Sequence, residues 1–227
     1  MASTPTSAAK REDARWPAEA RISCWQCGAP QAREFFCPRC SAIQALPDDV
    51  DYFRVLGLPL RLVVDQQDLQ RRYYDLHRQL HPDRFQTGPQ DARVASLRNT
   101  AAVNRAYTTL RDPIDRGTYW LALQGESLGT NNNRVPPELA ELVFETQEKL
   151  EELRAVRTPE TVAELTATRA ALEARRDALL EDLSSNFARW DGDESAAAPL
   201  SRELKHILSA LAYVGTLIRD VERELER

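Results

Sequence analysis

The sequence predicts a mainly α-helical protein with one small cysteine-rich segment near its amino terminus. Three observations support this fold class. Apolar residues recur at intervals of three and four along most of the 227 residues. Only eight glycines occur, and strand-favouring runs are nearly absent after residue 60. With 42% hydrophobic and 29% charged residues, the chain can bury one or two helical cores.

Residues 1–20 are rich in Ala, Ser and Thr and are predicted to form a disordered tail. They lack the apolar core of a secretory signal, and the acidic residues Glu12, Asp13 and Glu19 argue against an organelle transit peptide. These features favour a cytoplasmic protein, with the mitochondrion as the alternative. No apolar run is long enough to predict a membrane helix. The net charge of −5 argues against nucleic acid as the main partner.

All four cysteines of the chain lie within residues 21–45, with the spacing C-x2-C-x9-C-x2-C. Two such pairs can surround one tetrahedral metal ion, so the predicted ligands are Cys24, Cys27, Cys37 and Cys40. Zinc is the first choice because four thiolates leave no open coordination position. Iron is the alternative, since Gly28 and Pro38 also resemble rubredoxin-type knuckles. The predicted role is a structural metal-knuckle module for a segment too small to build a core; a redox pair or a disulfide framework is disfavoured.

Residues 51–125 are predicted to form a helical hairpin flanked by short helices. A helix of one or two turns opens the segment. The next helix begins at the N-cap Asp65 and ends before Pro82. Its apolar face consists of Leu69, Tyr73, Leu76 and Leu80. A third helix covers residues 90–110, and a short helix at 114–123 is expected to pack back onto the hairpin.

The tripeptide His81-Pro82-Asp83 lies between the two hairpin helices. Proline restricts one backbone angle, so the loop can present His81 and Asp83 as hydrogen-bonding groups at a low entropic cost. Positive charges around it would steer an acidic partner surface, and they come from Arg71, Arg72, Arg78 and Arg84. Taken alone, the tripeptide is more typical of a cap and turn, and the arginines of a solvated face.

The tripeptide occurs together with Asn-Arg-Ala-Tyr-Thr-Thr-Leu-Arg-Asp-Pro at residues 104–113, at the end of the following helix. This arrangement resembles a J-domain, the module that docks on heat-shock-seventy-class chaperones and triggers their ATP hydrolysis. The resemblance implies that the segment is a binding surface without a cofactor or an active site. It also implies that His81, Pro82 and Asp83 are required for stimulation of the chaperone's ATPase.

Residues 136–227 are predicted to form a three-helix bundle after a polar linker at residues 126–135. Prolines mark the starts of the first two helices, at Pro137 and Pro159. One helix alone cannot bury such long apolar stripes, but three antiparallel helices can. The stripes contain Leu139, Leu142, Val143, Leu150 and Leu153, then Leu165, Leu172 and Leu179, and finally Leu204, Ile207, Leu208, Leu211, Val214, Ile218, Val221 and Leu225.

A J-like segment that opens Asp-Tyr-Phe-Arg-Val-Leu-Gly-Leu-Pro at residues 51–59 directly precedes this bundle. That order resembles the HscB-type co-chaperones of iron–sulfur cluster assembly over residues 51–227. The four-cysteine module resembles the additional amino-terminal module of the longer family members. The resemblance implies an adaptor: the bundle holds an IscU-like cluster scaffold, and the J-domain brings it to an HscA/DnaK-class ATPase.

The resemblance also implies a scaffold-binding patch that is apolar and rimmed by acids. Alignment on residues 148–152 places Ala140 and Glu141 where the family usually has a Leu-Met pair, which departs from the pattern. Phe144 and Tyr213 fit it. Four glutamates follow the same helix at helical spacing, which by itself is more typical of a solvated face. They are Glu141, Glu145, Glu148 and Glu152.

Other functions compete with the adaptor. The alternative is a general J-protein that delivers unfolded clients to a DnaK-class chaperone, which predicts a flexible apolar groove instead of an acid-rimmed patch. An enzyme is disfavoured because only three histidines are present and neither a glycine-rich phosphate loop nor a nucleophile motif occurs. A zinc-ribbon nucleic-acid binder is disfavoured because the basic excess in residues 21–45 is slight.

Overall fold

The described structure is predominantly helical. The computed structural model describes residues 22–128, 137–192 and 197–227, which form seven α-helices and one two-stranded antiparallel sheet. The chain divides into two compact units between Asp112 and Pro113. The prediction of a mainly α fold is therefore confirmed.

Two predicted segments fall wholly or largely outside the described residues. They are the tail at residues 1–20 and the linker at 126–135, of which only 126–128 are described. Within the part of the chain that is described, every helix falls short of the combined length and apolarity that crossing a membrane requires.

Unit 1 contains the cysteine-rich segment and the helical hairpin. Its elements are β1 (Ile22–Ser23), β2 (Pro30–Gln31), α1 (Tyr52–Val55), α2 (Gln66–Leu80), a 3-10 turn (Pro82–Phe85) and α3 (Gln90–Arg111). β1 and β2 pair antiparallel, with Ile22 opposite Gln31. Both α1 and α2 pack against α3, so α3 is the central helix of the unit.

Local sequence signals set the limits of α2. Asp65 is its N-cap, and the carboxylate accepts hydrogen bonds from two first-turn amides at 2.8 and 3.2 Å. These bonds satisfy two of the four amides that a helix start leaves without a partner. The helix ends just before Pro82, whose ring cannot continue it. Leu69 and Leu80 are fully buried, as their spacing predicts.

Unit 2 is a helical bundle. Its elements are α4 (Pro113–Leu123), a 3-10 turn (Pro137–Leu139), α5 (Ala140–Ala155), α6 (Pro159–Gly192) and α7 (Ala197–Leu225). α6 packs along both α5 and α7. The heptad leucines of α6 are buried, and so is most of the predicted stripe on α7. Burial of these stripes is the main force that holds the three helices together.

The short helix α4 lies in unit 2, against α6 and α7. Trp120 packs edge-on against Trp190 with ring centroids 5.8 Å apart, and the Arg116 guanidinium lies 5.3 Å from the centre of the Phe187 ring. A Cβ atom at Gly117 would come within 3.2 Å of Phe187, so this close approach favours glycine. The large apolar side chains of this helix therefore find partners on α6 and α7.

Candidate functional site

The two cysteine pairs form knuckles with the same backbone hydrogen bonds. In the first knuckle the Gly28 amide donates to the Cys24 carbonyl at 2.9 Å, and in the second the Ser41 amide donates to the Cys37 carbonyl at 2.8 Å. Gly28 and Ser41 both adopt the left-handed conformation, with φ of 70° and 58°. Each knuckle therefore turns the chain sharply just after its second cysteine, which aims both thiols of the pair at one point.

The four sulfur atoms lie close together. The Sγ atoms of Cys24 and Cys40 are 3.6 Å apart, and those of Cys27 and Cys37 are 3.8 Å apart. All four lie within 4.8 Å of one another. A zinc–thiolate bond of about 2.3 Å gives a tetrahedron edge of about 3.8 Å. The predicted ligand set is therefore brought together, and this cluster could bind a metal ion.

Burial and hydrogen bonds to the sulfurs are the main electrostatic features of the cluster. Burial raises the pKa of Cys24, but hydrogen bonds from the Cys27 and Gln26 amides and from the Cys40 and Cys27 thiols outweigh it and lower that pKa to about 6. The Ala42 amide lowers the pKa of Cys40, yet burial and the neighbouring sulfurs raise it to about 12. One sulfur thus ionises readily while another is held protonated. A cation at the centre of the four sulfurs would favour the thiolate form of all four, which is the form that binds a metal.

Residues 42–50 form a strap that leads from the second knuckle to the hairpin. The indole N–H of Trp25 donates to the strap backbone at 2.6 Å. Within the strap, the Gln44 amide nitrogen lies 3.3 Å from the Cys24 sulfur. Asn99 on α3 is fully buried, and both its amide nitrogen and its amide oxygen form hydrogen bonds with the strap backbone. No local pattern in the sequence marks Gln44 or Asn99 for these contacts.

His81, Pro82 and Asp83 form a corner between α2 and α3. The His81 Nδ1 atom accepts a hydrogen bond from the Asp83 amide at 3.3 Å, and the Asp83 carboxylate lies 3.4 Å from the same nitrogen. Pro82 begins the 3-10 turn. The side chain of Asp83 is 72% exposed and that of His81 is 41% exposed. The corner therefore presents a carboxylate and an imidazole to solvent on a restricted backbone.

Helix α3 forms hydrogen bonds with the end of α2, immediately before this corner. The hydroxyls of Ser96 and Thr100 donate to the carbonyl oxygen of Leu80 at 2.5 and 3.1 Å. Nearby, the rings of Tyr73 and Tyr107 stack with their centroids 4.2 Å apart. The last carbonyls of a helix have no partner within the helix, so the two hydroxyls supply one. Sequence reasoning missed them because Ser and Thr inside helices usually bond to their own helix or to water.

Part of the predicted basic face forms ion pairs and hydrogen bonds within the protein. Arg71, Arg72 and Arg78 each pair with an acidic residue three or four positions earlier on α2. Arg72 also donates to the carbonyl oxygen of Gly57 at 2.6 Å, so it ties α2 to the loop after α1. The side chains of Arg71 and Arg78 are 70% and 77% exposed, against 37% for Arg72. Arg71, Arg78 and Arg84 remain at the surface.

Two side-chain contacts show the register of α5 and α7. The Nε2 atom of His206 lies 2.7 Å from the carboxylate of Glu138 at one end. At the other end the Nε atom of Arg154 lies 3.0 Å from the carboxylate of Glu224, seventy residues along the chain. The two helices therefore run in the same direction, and residues separated by about that number lie at one level of the bundle.

This register brings Phe144 and Tyr213 to the same level of α5 and α7. The side chain of Phe144 is 71% exposed, which makes it the most exposed large apolar side chain in the described structure. Tyr213 is half-buried, and both Ala140 and Glu141 are exposed. An aromatic ring so far out of the core contributes little to folding.

The acidic stripe on α5 is exposed along its whole length, at Glu141, Glu145, Glu148 and Glu152. Lys149 neutralises part of it, because its ammonium lies 3.0 Å from Glu152 and 2.8 Å from Glu164 on α6. These contacts raise the pKa of Lys149 and hold it charged. The stripe therefore keeps its negative character mainly toward the amino-terminal end of α5, beside Phe144.

Comparisons with known proteins agree with this architecture. The family model for the DnaJ domain matches residues 51–119. The human iron–sulfur cluster co-chaperone protein HscB is 31% identical over 199 residues, which covers 86% of this chain and 78% of the human protein. The chain belongs to the HscB family. The crystal structure of human co-chaperone HscB superposes with a TM-score of 0.69 at 28% identity, covering 89% of this chain and 98% of that one. The chaperone HscB from Vibrio cholerae gives a TM-score of 0.61 at 28% identity, covering 76% and 96%.

Family membership confirms the resemblance on which the sequence analysis relied. As a member of the HscB family, the protein is a J-domain co-chaperone of iron–sulfur cluster assembly. Its four-cysteine cluster lies on the amino-terminal side of the DnaJ match.

Proposed function

We propose that this HscB-family protein is a non-enzymatic adaptor between two partners. The bundle holds an IscU-like iron–sulfur scaffold, and the J-domain engages an HscA/DnaK-class chaperone and stimulates its ATPase. Hydrolysis then locks the chaperone on the scaffold and promotes cluster transfer to an acceptor. The observation that carries this proposal is the His81-Pro82-Asp83 corner, held between two helices with its polar groups exposed.

The chaperone-binding surface consists of the corner and the cationic side chains beside it. Asp83 can accept a hydrogen bond from a partner arginine, and His81 can donate one. Arg71, Arg78 and Arg84 steer an acidic chaperone surface toward the corner. Arg72 belongs to the predicted set, but its bond to a backbone carbonyl supports a positioning role within the J-domain.

The scaffold-binding surface lies at the level of α5 and α7 that carries Phe144 and Tyr213. Ala140 and Glu141 border it on α5. Aromatic residues commonly dominate the energy of an interface, so Phe144 is expected to be the main anchor. The glutamates beside it would attract a basic scaffold surface and raise the rate of association.

The four-cysteine cluster is proposed to hold zinc as a structural metal, with iron as the alternative. Four thiolates complete a tetrahedral shell, and zinc in such closed sites stabilises a fold and performs no chemistry. The cysteine module has only a two-residue pair of strands and few buried side chains, so a metal would supply the cross-link it lacks. Metal analysis and an optical spectrum distinguish the two ions, since iron thiolates are coloured and zinc thiolates are not.

The cytoplasm is proposed as the compartment, with the mitochondrion as the alternative. The acidic residues within residues 1–20 support this choice. Neither nucleic acid nor a membrane is proposed as a partner. Microscopy of the full chain with a fluorescent tag at its carboxyl terminus tests the compartment.

The adaptor is tested by separating its two activities. His81→Gln should abolish stimulation of the chaperone ATPase and leave scaffold affinity unchanged, because the substitution lies on the J-domain. His206→Gln makes the same chemical change in the bundle and should keep stimulation intact. Stimulation that survives His81→Gln would contradict the mechanism. Equal affinity of the bundle for denatured model proteins and for folded scaffold would favour the general J-protein.

A further inference from the structure

Asn99 is a buried side chain that joins the four-cysteine module to α3. Its Nδ2 atom donates to the carbonyl oxygen of Gln44 at 2.8 Å, and its Oδ1 atom accepts from the Leu46 amide at 3.0 Å. The side chain is fully buried. The nitrogen and the oxygen of the Asn99 amide thus both form hydrogen bonds with the strap. Breaking them would leave buried polar groups without partners, which costs free energy.

Gln44 continues this connection to the metal ligands. Its Nε2 atom lies 3.3 Å from the Cys24 sulfur, and its Oε1 atom accepts from the Trp25 amide at 3.3 Å. Only 3% of Gln44 is exposed. The backbone of Gln44 therefore bonds to the J-domain while its side chain bonds to the first cysteine knuckle.

The turn of α3 that bears Asn99 also bears the two hydroxyls that hold the end of α2. Ser96 and Thr100 donate to the carbonyl of Leu80, the residue immediately before the His81-Pro82-Asp83 corner. Ser96 and Leu80 are both completely buried. One helical turn is thus bonded to the strap by Asn99 and to the end of α2 by its neighbours.

The exposed ion pairs at this junction are weaker connections. Arg33 lies 2.8 Å from Asp49, and Arg98 lies 3.0 Å from Asp48. Their aspartates are 65% and 83% exposed, so solvent screens both pairs strongly. Solvent screens these pairs more than it does the fully buried contacts of Asn99.

We propose that metal binding in the four-cysteine cluster controls how rigidly the His81-Pro82-Asp83 corner is held, with Gln44 and Asn99 as the positioning residues. The metal fixes the Cys24 sulfur and with it the strap, and the strap fixes the α3 turn that holds Leu80. When the metal leaves, the strap loosens and the corner opens locally more often. The coupling rests on the proposed metal site, and the proposed docking role of the corner is what would make the metal module a regulator of the J-domain.

The test is hydrogen exchange measured by mass spectrometry on the full chain, with a thiol reductant throughout. Samples saturated with Zn²⁺ are compared with samples stripped by a chelator. In the wild type, metal removal should speed exchange at residues 78–88 by about three- to tenfold, the effect of losing one or two buried hydrogen bonds. Asn99→Ala should show fast exchange there with and without Zn²⁺.

The matched control is Asn104→Ala, the same change on the same helix. Asn104 bonds to the Tyr73 hydroxyl at 3.2 Å and has no bond to the strap among the described contacts, so this variant should keep the full response to Zn²⁺. Gln44→Met removes the side-chain bond to Cys24 but keeps the carbonyl that Asn99 uses. It should also lose the response, which keeps the proposal testable if Asn99→Ala does not fold.

Two outcomes would overturn the coupling. In one, metal removal changes exchange only in residues 22–50 and leaves residues 78–88 unaffected. In the other, Asn99→Ala and Gln44→Met respond to Zn²⁺ as the wild type does. The measurement needs neither ATP nor a chaperone. A protein that fails to stimulate any ATPase would therefore disprove the docking role and leave this coupling in place.

Discussion

The Ser96 hydroxyl donates a 2.5 Å hydrogen bond to the carbonyl oxygen of Leu80, the last residue of α2. That carbonyl is adjacent to the corner that carries the proposed chaperone-binding groups. The contact places a side chain from the middle of α3 against the end of α2, so the position of the corner depends on the packing of the two helices as well as on Pro82.

Ser96→Ala should lower the free energy of unfolding by about 1 kcal/mol, since one buried bond is lost while Thr100 still donates to the same carbonyl. Urea unfolding followed by circular dichroism measures the change. Thr108→Ala, at an exposed position of α3, should shift stability by less than about 0.5 kcal/mol. Equal effects of the two substitutions would show that the Ser96 bond adds no stability.

Phe144→Ala should weaken scaffold binding by about thirtyfold or more, the typical effect of removing an aromatic interface anchor. The melting temperature should stay nearly unchanged, because this side chain is 71% exposed. Titration calorimetry with an IscU-like scaffold measures the affinity. Val156→Ala, a 59% exposed apolar residue at the far end of α5, should leave binding intact. Unaltered affinity in Phe144→Ala would place the scaffold surface elsewhere.

Gly28→Ala should lower zinc affinity by roughly five- to thirtyfold, because an L-residue at this left-handed position costs about 1–2 kcal/mol. A Cβ atom there would meet no heavy atom within 4 Å, so the backbone alone sets the cost. Ser41 has the same conformation in the second knuckle, and Ser41→Gly should maintain or raise affinity. Competition with a coloured chelator measures both. Equal affinities of the two variants would refute the importance of the left-handed turns.

Glu224→Gln should lower the melting temperature at pH 7, and its difference from the wild type should shrink in acid. The Arg154 guanidinium holds the pKa of Glu224 below its usual range despite burial, aided by Arg227 and Arg157. A lowered folded-state pKa means that the carboxylate stabilises the fold above the unfolded pKa, about 4.3. That contribution disappears as the pH falls through the folded-state pKa. Calorimetry between pH 3 and 7 tests this, and Glu226→Gln, at an exposed position, should show little effect throughout.

Much of the fold was predictable from short-range signals. The N-cap Asp65 and the helix-stopping Pro82 act on their immediate neighbours, so the limits of α2 follow from a few adjacent residues. The cysteine spacing likewise implies a common centre, because each pair closes its own knuckle. The seven-residue leucine repeat of α6 predicts burial correctly, since one helical face is defined by its periodicity alone.

Other features involve residues that are distant in the sequence. Asn99 meets Gln44 across fifty-five positions, and an asparagine on a helix carries no local sign of such a partner. Arg72 was grouped with the surface arginines, although it bonds to the loop after α1. The short helix at residues 114–123 was predicted, but helical spacing does not show which helices it packs against.

The sequence by itself determined which residues are available for metal or partner binding. They are four thiols at metal-ligand spacing, a proline-centred corner between two helices, and an aromatic residue on the first helix of the bundle. Tertiary structure alone decided which of these are connected. The turn of α3 that contacts both the strap and the end of α2 exists only when distant segments pack together. Hydrogen bonds between such segments depend on the whole fold, so they leave no periodic or local trace in the order of residues.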